Sequence, residues 1–375
     1  MYIGIDGNEA NVNYKVGVNY YSFELLRALY KLNNRSYVKD KYVIYLKTSP
    51  LAGMPAENDY WRYKLLPGMC VWILSKLMPH LVRGERPDIF FSPSHYLPLF
   101  SRVPMVCTIH DLGYLKFSEQ FKKKDFWQLK IWTAISIIVS KYIISVSKST
   151  MKDIVRHYPF ASNKIKVVYH GYDSSRYNNN IDDMFVRHVI NKYGINKKYL
   201  LFIGTLKPSK NIEGLLKAFS IVKEHFSDYR LVIVGKKGWL FDDIFQYVKK
   251  LNLEKDVIFT GYIKEEDKRA IISGASLFVL PSYWEGFGMD ILNAMACGVP
   301  VVASDVASIP EVLGEAGIYI DPYNIESIAN GIMKVINMNG KEYNKVVGKG
   351  LIQAQKFSWL KSAEMTLNIL RKAAK

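Results

Sequence analysis

The 375-residue sequence predicts an α/β protein made of two doubly wound parallel-sheet domains joined by a polar connection. Short β-branched runs alternate with longer amphipathic stretches along nearly the whole chain, which is the pattern of βαβ units. The alternation breaks once, between Gly171 and Asn196, and then restarts. Length and a 49% share of apolar residues allow two cores and exceed what one ordinary domain holds.

In the first series, strands fall at residues 2–5, 42–45, 89–91, 105–109, 143–146 and 166–169, with helices at 20–32, 72–82 and 125–140. From Gly171 onward, Asn, Asp and Ser replace the apolar runs, so residues 172–196 are predicted as the linker between domains. The second series restarts at Tyr199-Leu200-Leu201-Phe202-Ile203-Gly204. Its strands fall at 199–204, 230–234, 257–260, 277–280, 299–303 and 317–320, with helices such as 211–225 and 267–273 between them. Two long helical stretches follow, at 325–337 and 340–357, and a last helix begins near Ser358-Trp359 with Ser358 as its N-cap. The domains are therefore expected at 1–171 and 197–357, with 358–375 as a closing helix.

Composition narrows the class of function. Cys70, Cys107 and Cys297 lie far apart in apolar surroundings, which is neither a disulfide framework nor a metal-ligand spacing and suits a reducing cytoplasm. The first residues, Met1-Tyr2-Ile3-Gly4-Ile5-Asp6, are read as a strand rather than a signal peptide. No apolar run reaches the roughly 18 residues that a membrane span requires. The formal charge of +17 favours an anionic partner, whether phosphate, acidic lipid or nucleic acid. Charge alone does not choose among these, and no nucleic-acid-binding motif is present, so nucleic acid is not expected as a partner.

Open parallel sheets bind ligands outside the carboxyl ends of their strands, and each candidate motif follows such a strand. The most informative runs from Trp284 to Pro300, between two apolar strands. Its turn, Glu285-Gly286-Phe287-Gly288-Met289, opens a short helix whose unpaired N–H groups and partial positive charge suit a phosphate. Glu285 is an acid on that turn, and a carboxylate accepts hydrogen bonds from hydroxyls. Gly204-Thr205-Leu206-Lys207-Pro208-Ser209-Lys210-Asn211 follows the first strand of the second series. Lys207 and Lys210 beside a helix start suit a diphosphate, and a solvated lysine turn is the competing reading. Val234-Gly235-Lys236-Lys237-Gly238-Trp239 is either a nucleotide-facing turn or a helix start with a packed Trp. Gly261-Tyr262-Ile263 follows the third strand of this series. In the first series, Gly17-Val18-Asn19-Tyr20 offers a small residue for close backbone approach. His110, in Thr108-Ile109-His110-Asp111-Leu112, ends a strand, while Asp111 reads as a cap and His95, in Ser92-Pro93-Ser94-His95-Tyr96, is a weaker candidate.

These motifs together resemble the retaining glycosyltransferases of family 4, over nearly the whole chain and most closely from Tyr199 to Pro322. The resemblance implies the GT-B arrangement, two Rossmann-like domains with the last helix crossing back to the first. It implies transfer of a hexose from a nucleoside diphosphate sugar to an acceptor hydroxyl, with retention and without a metal or other cofactor. The donor would lie on the second domain and the acceptor, a glycan or lipid-linked molecule, on the first. Glu285 and His110 would contact the transferred sugar. The backbone of Gly286, Phe287, Gly288 and Met289, with Gly204, Thr205, Lys207, Lys210, Gly235 and Gly17, would hold sugar and phosphates. The backbone near Tyr262 and Ile263 would hold the base. Gly204-Thr205-Leu206 with Pro208 and Lys210-Asn211 is most like the branch that uses GDP-mannose, with a UDP-sugar as the alternative donor.

The chain departs from the family pattern in several places. The usual second glutamate, eight positions after Glu285, is Asn293, which keeps a carbonyl acceptor for the ribose but loses the charge. Asp290 stands where proline is usual and is expected to add negative charge near the phosphates, or to serve as a first-turn acid. Ser209 replaces an arginine, and Asn19 replaces a Gly or Ser. Replacing Glu285 by Ala is expected to abolish transfer with little loss of stability. Two lysine- and aromatic-rich segments, 121–132 and 60–66, suit either an anionic membrane at the inner face of the plasma membrane or a packed element with solvated lysines. Two rival functions stand beside transfer: a nucleotide-sugar epimerase of the same fold, and a degenerate relative that binds without turnover.

Overall fold

A computed structural model describes residues 1–68, 71–84, 86–235 and 241–375. Its chain divides into two compact units. The first comprises Met1–Gly171 with Ser358–Lys375, and the second Tyr172–Phe357.

The first unit holds a seven-stranded sheet, built in chain order from β1 (Tyr2–Asp6), β2 (Lys41–Leu46), β3 (Trp61–Leu65), β4 (Ile89–Ser92), β5 (Met105–Ile109), β6 (Tyr142–Ser145) and β7 (Ile165–Val167). The spatial order is β3-β2-β1-β4-β5-β6-β7, with every pairing parallel. β4 and β5 are buried along their whole length, as continuous apolar runs covered on both faces must be. The sequence reading missed β3, because Arg62 and Lys64 alternate with aromatics there. That alternation belongs to an edge strand. Trp61 is fully buried between Tyr30 and Tyr42, so the segment 60–66 does not offer it to a bilayer.

The second unit holds a six-stranded parallel sheet: β8 (Tyr199–Ile203), β9 (Arg230–Val234), β10 (Val257–Gly261), β11 (Leu277–Leu280), β12 (Val301–Ser304) and β13 (Ile318–Ile320). Its order is β10-β9-β8-β11-β12-β13. Both sheets thus run outward from their first strand in two directions, and each has a switch point where the direction reverses.

Residues 172–196, read as a linker, lie in the second unit and contain the helix Asp183–Lys192. Asp182 caps that helix through its side chain, and only Val186 and Val189 are buried, so the remaining composition looks like loop. Lys192 ties the helix to Asp267 at 2.7 Å. The closing helix, Trp359–Ala374, belongs to the first unit and packs on Val18–Arg35. Ser358 holds the N-cap position, but its side chain makes no capping bond; its carbonyl accepts from Ser362 instead. Arg371 pairs with the buried Asp40 at 2.8 Å. Cys107 and Cys297 are free thiols, and burial raises both, Cys107 to about 12. Cys70 lies outside the described residues.

Candidate active site

In the second unit the direction reverses between β8 and β11, which pair directly. The turns that leave their carboxyl ends carry the Lys207–Lys210 motif and the Glu285 motif, so neighbouring strands bring together residues 75 positions apart. The turns bond to one another: Tyr283 N–H donates to the Ser209 carbonyl at 2.9 Å. Lys210 Nζ donates to Glu285 Oε1, and Ser282 Oγ donates to the same oxygen at 2.7 Å. Ser308 Oγ holds the Glu285 carbonyl at 2.8 Å. The Lys210 and Glu285 side chains are only 14% and 11% exposed. This pairing argues against the expectation that Glu285→Ala brings little loss of stability, since removing the acid strands a mostly buried ammonium.

The surrounding backbone is tightly interlocked. Gly204 N–H bonds the Val234 carbonyl at 2.9 Å, and Gly235 N–H bonds the Gly261 carbonyl at 3.0 Å. A Cβ on Gly235 would sit 1.9 Å from the Gly204 carbonyl oxygen, so glycine is required there by the neighbouring strand end. Gly288, at φ 94°, provides the left-handed turn that starts the helix Met289–Ala296. Asn211 caps the helix Ile212–His225 through Oδ1, and its Nδ2 donates to the Pro322 carbonyl at 2.7 Å.

The other candidates divide by exposure. Thr205, Lys207 and Tyr262 are exposed, while Gly286 and Met289 are half-buried. Ile263 and Phe287 are buried, the latter edge-on to Phe357, so neither side chain is offered to a ligand. Lys236, Lys237, Gly238 and Trp239 lie outside the described residues.

Asn293 is 3% exposed, and its Nδ2 donates to Asp290 Oδ1 at 3.2 Å. Asp290 in turn pairs with Lys268 at 2.7 Å, and Lys268 is held protonated, above its ordinary range, by Asp290 and Glu265 against the effect of burial. Asp290 is therefore a compensated first-turn acid, not a free negative charge. The sequence reading did not find Lys268, Ser282 or Ser308. Short hydroxyls and surface-type lysines carry no signal until the chain folds.

In the first unit, His110 lies just past the end of β5. Its Nε2 donates to the Pro93 carbonyl at 2.9 Å, which leaves Nδ1 as acceptor. Burial lowers its pKa, so the ring is neutral at pH 7. Tyr21 packs edge-on against it at 4.7 Å and bonds Thr108 Oγ1 at 3.1 Å. Asp111 caps the following turn, accepting from Gly113 N–H at 2.7 Å. Burial also lowers His95, to about 4, with His110 adding to the effect. Gly17 stands at the start of the helix Val18–Arg35, and Asn19 Nδ2 donates to Glu9 Oε2 at 2.7 Å.

Comparison with known proteins adds relatives to this geometry. The family model described as "Glycosyl transferases group 1" matches residues 187–350, and "Glycosyltransferase Family 4" matches 17–176. O-antigen chain mannosyltransferase B of Escherichia coli is 32% identical over 310 residues, covering 82% of this chain and 78% of that protein. O-antigen chain mannosyltransferase RfbU of Salmonella typhimurium is 26% identical, over 68% of this chain and 67% of that one. Among solved structures, Anabaena HepE in complex with UDP-glucose superposes with a TM-score of 0.76 at 18% identity, covering 99% of each chain. Sucrose-phosphate synthase from Thermosynechococcus elongatus gives 0.75 at 19% identity, covering 99% of this chain and 98% of the other.

Proposed function

Because the chain belongs to glycosyltransferase family 4, we propose that it transfers a hexose, mannose by preference, from a nucleoside diphosphate sugar to an acceptor hydroxyl during polysaccharide or glycolipid synthesis. The observation that carries this reading is the Lys210–Glu285–Ser282 cluster at the switch point, beside the start of Met289–Ala296. A diphosphate needs cations and helix N–H groups, and a hexose needs a fixed acceptor for its hydroxyls. This crevice edge supplies both.

In the proposed reaction the bond between the anomeric carbon and the diphosphate oxygen breaks, and the acceptor oxygen bonds to that carbon on the same face. Lys207, Lys210 and the backbone N–H groups at Gly286–Gly288 take up the charge on the departing diphosphate. The acceptor's proton passes to a phosphate oxygen of the leaving group, so no separate general base is required. Glu285 and His110 hydrogen-bond the transferred sugar, His110 through Nδ1. Asn293 meets the ribose with a neutral carbonyl. Retention of configuration and independence from metal are parts of the proposal; added EDTA is expected to leave the rate unchanged.

GDP-mannose is the favoured donor, on the sequence of the Gly204–Asn211 turn and on two mannosyltransferase relatives. A UDP-sugar is the alternative, as bound in the Anabaena structure. A thermal-shift panel of GDP-, UDP- and ADP-sugars, followed by transfer assays, tests this. One base should give a clear shift and turnover. Retained diphosphate binding without turnover would favour a non-catalytic relative.

Work at the cytoplasmic face of an anionic membrane is a finer part of the same proposal. Among the described residues no helix is long and apolar enough to cross a bilayer. The helix Lys123–Val139, however, exposes Trp127, Ile131 and Ile138 at helical spacing, with Lys123, Lys124 and Lys130 beside them. Flotation with vesicles that contain phosphatidylglycerol, and not with neutral ones, is the expected result.

A further inference from the structure

One hydrogen bond does not fix the plane of an imidazole. His110 Nε2 is tied to the Pro93 carbonyl, and Thr150 Oγ1 donates to the His110 carbonyl at 3.1 Å. The ring can still turn, because rotation about the bond that joins it to Cβ has only broad preferences. A packed neighbour stops it: Tyr21 meets His110 with ring planes at 84°. Tyr21 is fully buried and is itself held on two sides. Its hydroxyl is hydrogen-bonded to Thr108, two residues before His110 in the chain. Its ring packs on His170 at 4.6 Å and on Trp359 at 5.9 Å. His170 and Trp359 stack on each other at 5.7 Å, and His170 also reaches His110 at 5.9 Å. Four rings from four distant parts of the chain thus close into one cluster.

His170 and Trp359 stand where the chain leaves the first unit and re-enters it. A Cβ on Gly171 would lie 2.0 Å from the Trp359 backbone nitrogen, so these two segments run in backbone contact. Ser362 Oγ donates to the Tyr169 carbonyl and clamps the first turn of the closing helix to the same segment. Trp359 is therefore seated by the backbone around it. The rings are uncharged at pH 7, since burial lowers both histidines and raises Tyr21, so packing sets the plane of His110.

We propose that Tyr21 and Trp359 are positioning residues for His110: Tyr21 holds the imidazole plane, and Trp359, from the closing helix, holds Tyr21. The inference rests on the proposed contact of His110 with the transferred sugar. It goes further by making the closing helix part of the site's geometry as well as of the fold's stability.

The test compares Tyr21→Leu and Trp359→Leu with Tyr21→Phe, Trp359→Phe and His110→Ala in the full chain. Transfer kinetics are read beside nitrogen NMR of the histidine side chains, with His110→Ala assigning the signal. Wild-type His110 should show one tautomer, protonated at Nε2. Both leucine variants should mix or broaden that signal and cut kcat by about 10- to 100-fold, with donor KM within about threefold. The phenylalanine variants, which keep a ring, should restore both readouts. On a His110→Ala background the leucine substitutions should cost no further kcat, because no ring remains to be aimed. Additive losses on that background would overturn the proposal by making the cluster merely structural. An undisturbed His110 signal in both leucine variants would also overturn it. Wild type alone can do so where a variant does not fold: a His110 ring that averages between tautomers is not held. If His110→Ala leaves kcat unchanged while the leucine variants disturb the His110 signal, the positioning stands and the sugar contact of His110 falls.

Discussion

Glu285 shares one carboxylate oxygen between an ammonium and a hydroxyl, and this sets what its replacement does. Glu285→Ala should abolish transfer and also cost roughly 1–3 kcal/mol of stability, because Lys210 keeps its burial and loses its counter-charge. The double variant Glu285→Ala/Lys210→Met should recover most of that stability and none of the activity. Urea unfolding beside a transfer assay checks both; a stable single variant would mean that the pair contributes little. Asn293 follows the same logic. Its amide is bonded to Asp290, which is already balanced by Lys268. Asn293→Glu alone puts a second carboxylate beside the first and should not tighten nucleotide binding. Tightening is expected only when Asp290→Ala removes the competitor, as nucleotide titration of the two variants would show.

At the scale of elements, the turns after β8 and β11 were legible because glycine, lysine and glutamate stand out against apolar strands. β3 was not, since an exposed edge strand interleaves charges with aromatics and reads as a surface segment. The helix Asp183–Lys192 was hidden for a related reason: two buried valines are enough to anchor it, and its remaining residues are polar. The closing helix was legible as a helix, while its partner, Val18–Arg35, lies more than 300 residues earlier and left no local trace. It buries Trp359, Leu367 and Leu370 in the first unit. A chain ending at Phe357 should lose roughly 5 kcal/mol or more there, at about 1.5–3 kcal/mol per large buried side chain. Calorimetry should then show the second unit's transition retained and the first unit's weakened or absent. Two unchanged transitions would contradict the packing.

At the scale of the whole molecule, each unit has its own sheet and core, and three neutral histidines, the half-buried His95 and His110 and the buried His170, all belong to the first. Burial lowers each one, His95 from the ordinary 6.5 to about 4. Between those values the unfolded chain binds protons that the folded chain refuses, so stability is full above pH 6.5 and falls on acidification. For His95 the slope approaches about 1.4 kcal/mol per pH unit inside that window. The raised carboxyls of Asp6 and Glu9 act in the opposite sense, but they are common to wild type and variant. The urea midpoint should therefore drop less between pH 7 and 5 in His95→Gln than in wild type; equal drops would refute the assignment. The two βα series, the glycine turns with Glu285, Lys207 and Lys210, and the family itself were determined by sequence alone, because periodicity and turn chemistry are local. Which residues meet was decided only by tertiary structure: Glu285 with Lys210, Asp290 with Lys268, Asn19 with Glu9, and the closing helix with Val18–Arg35 in particular. Those contacts depend on strand order and on pairings distant in sequence, and no local pattern encodes either one.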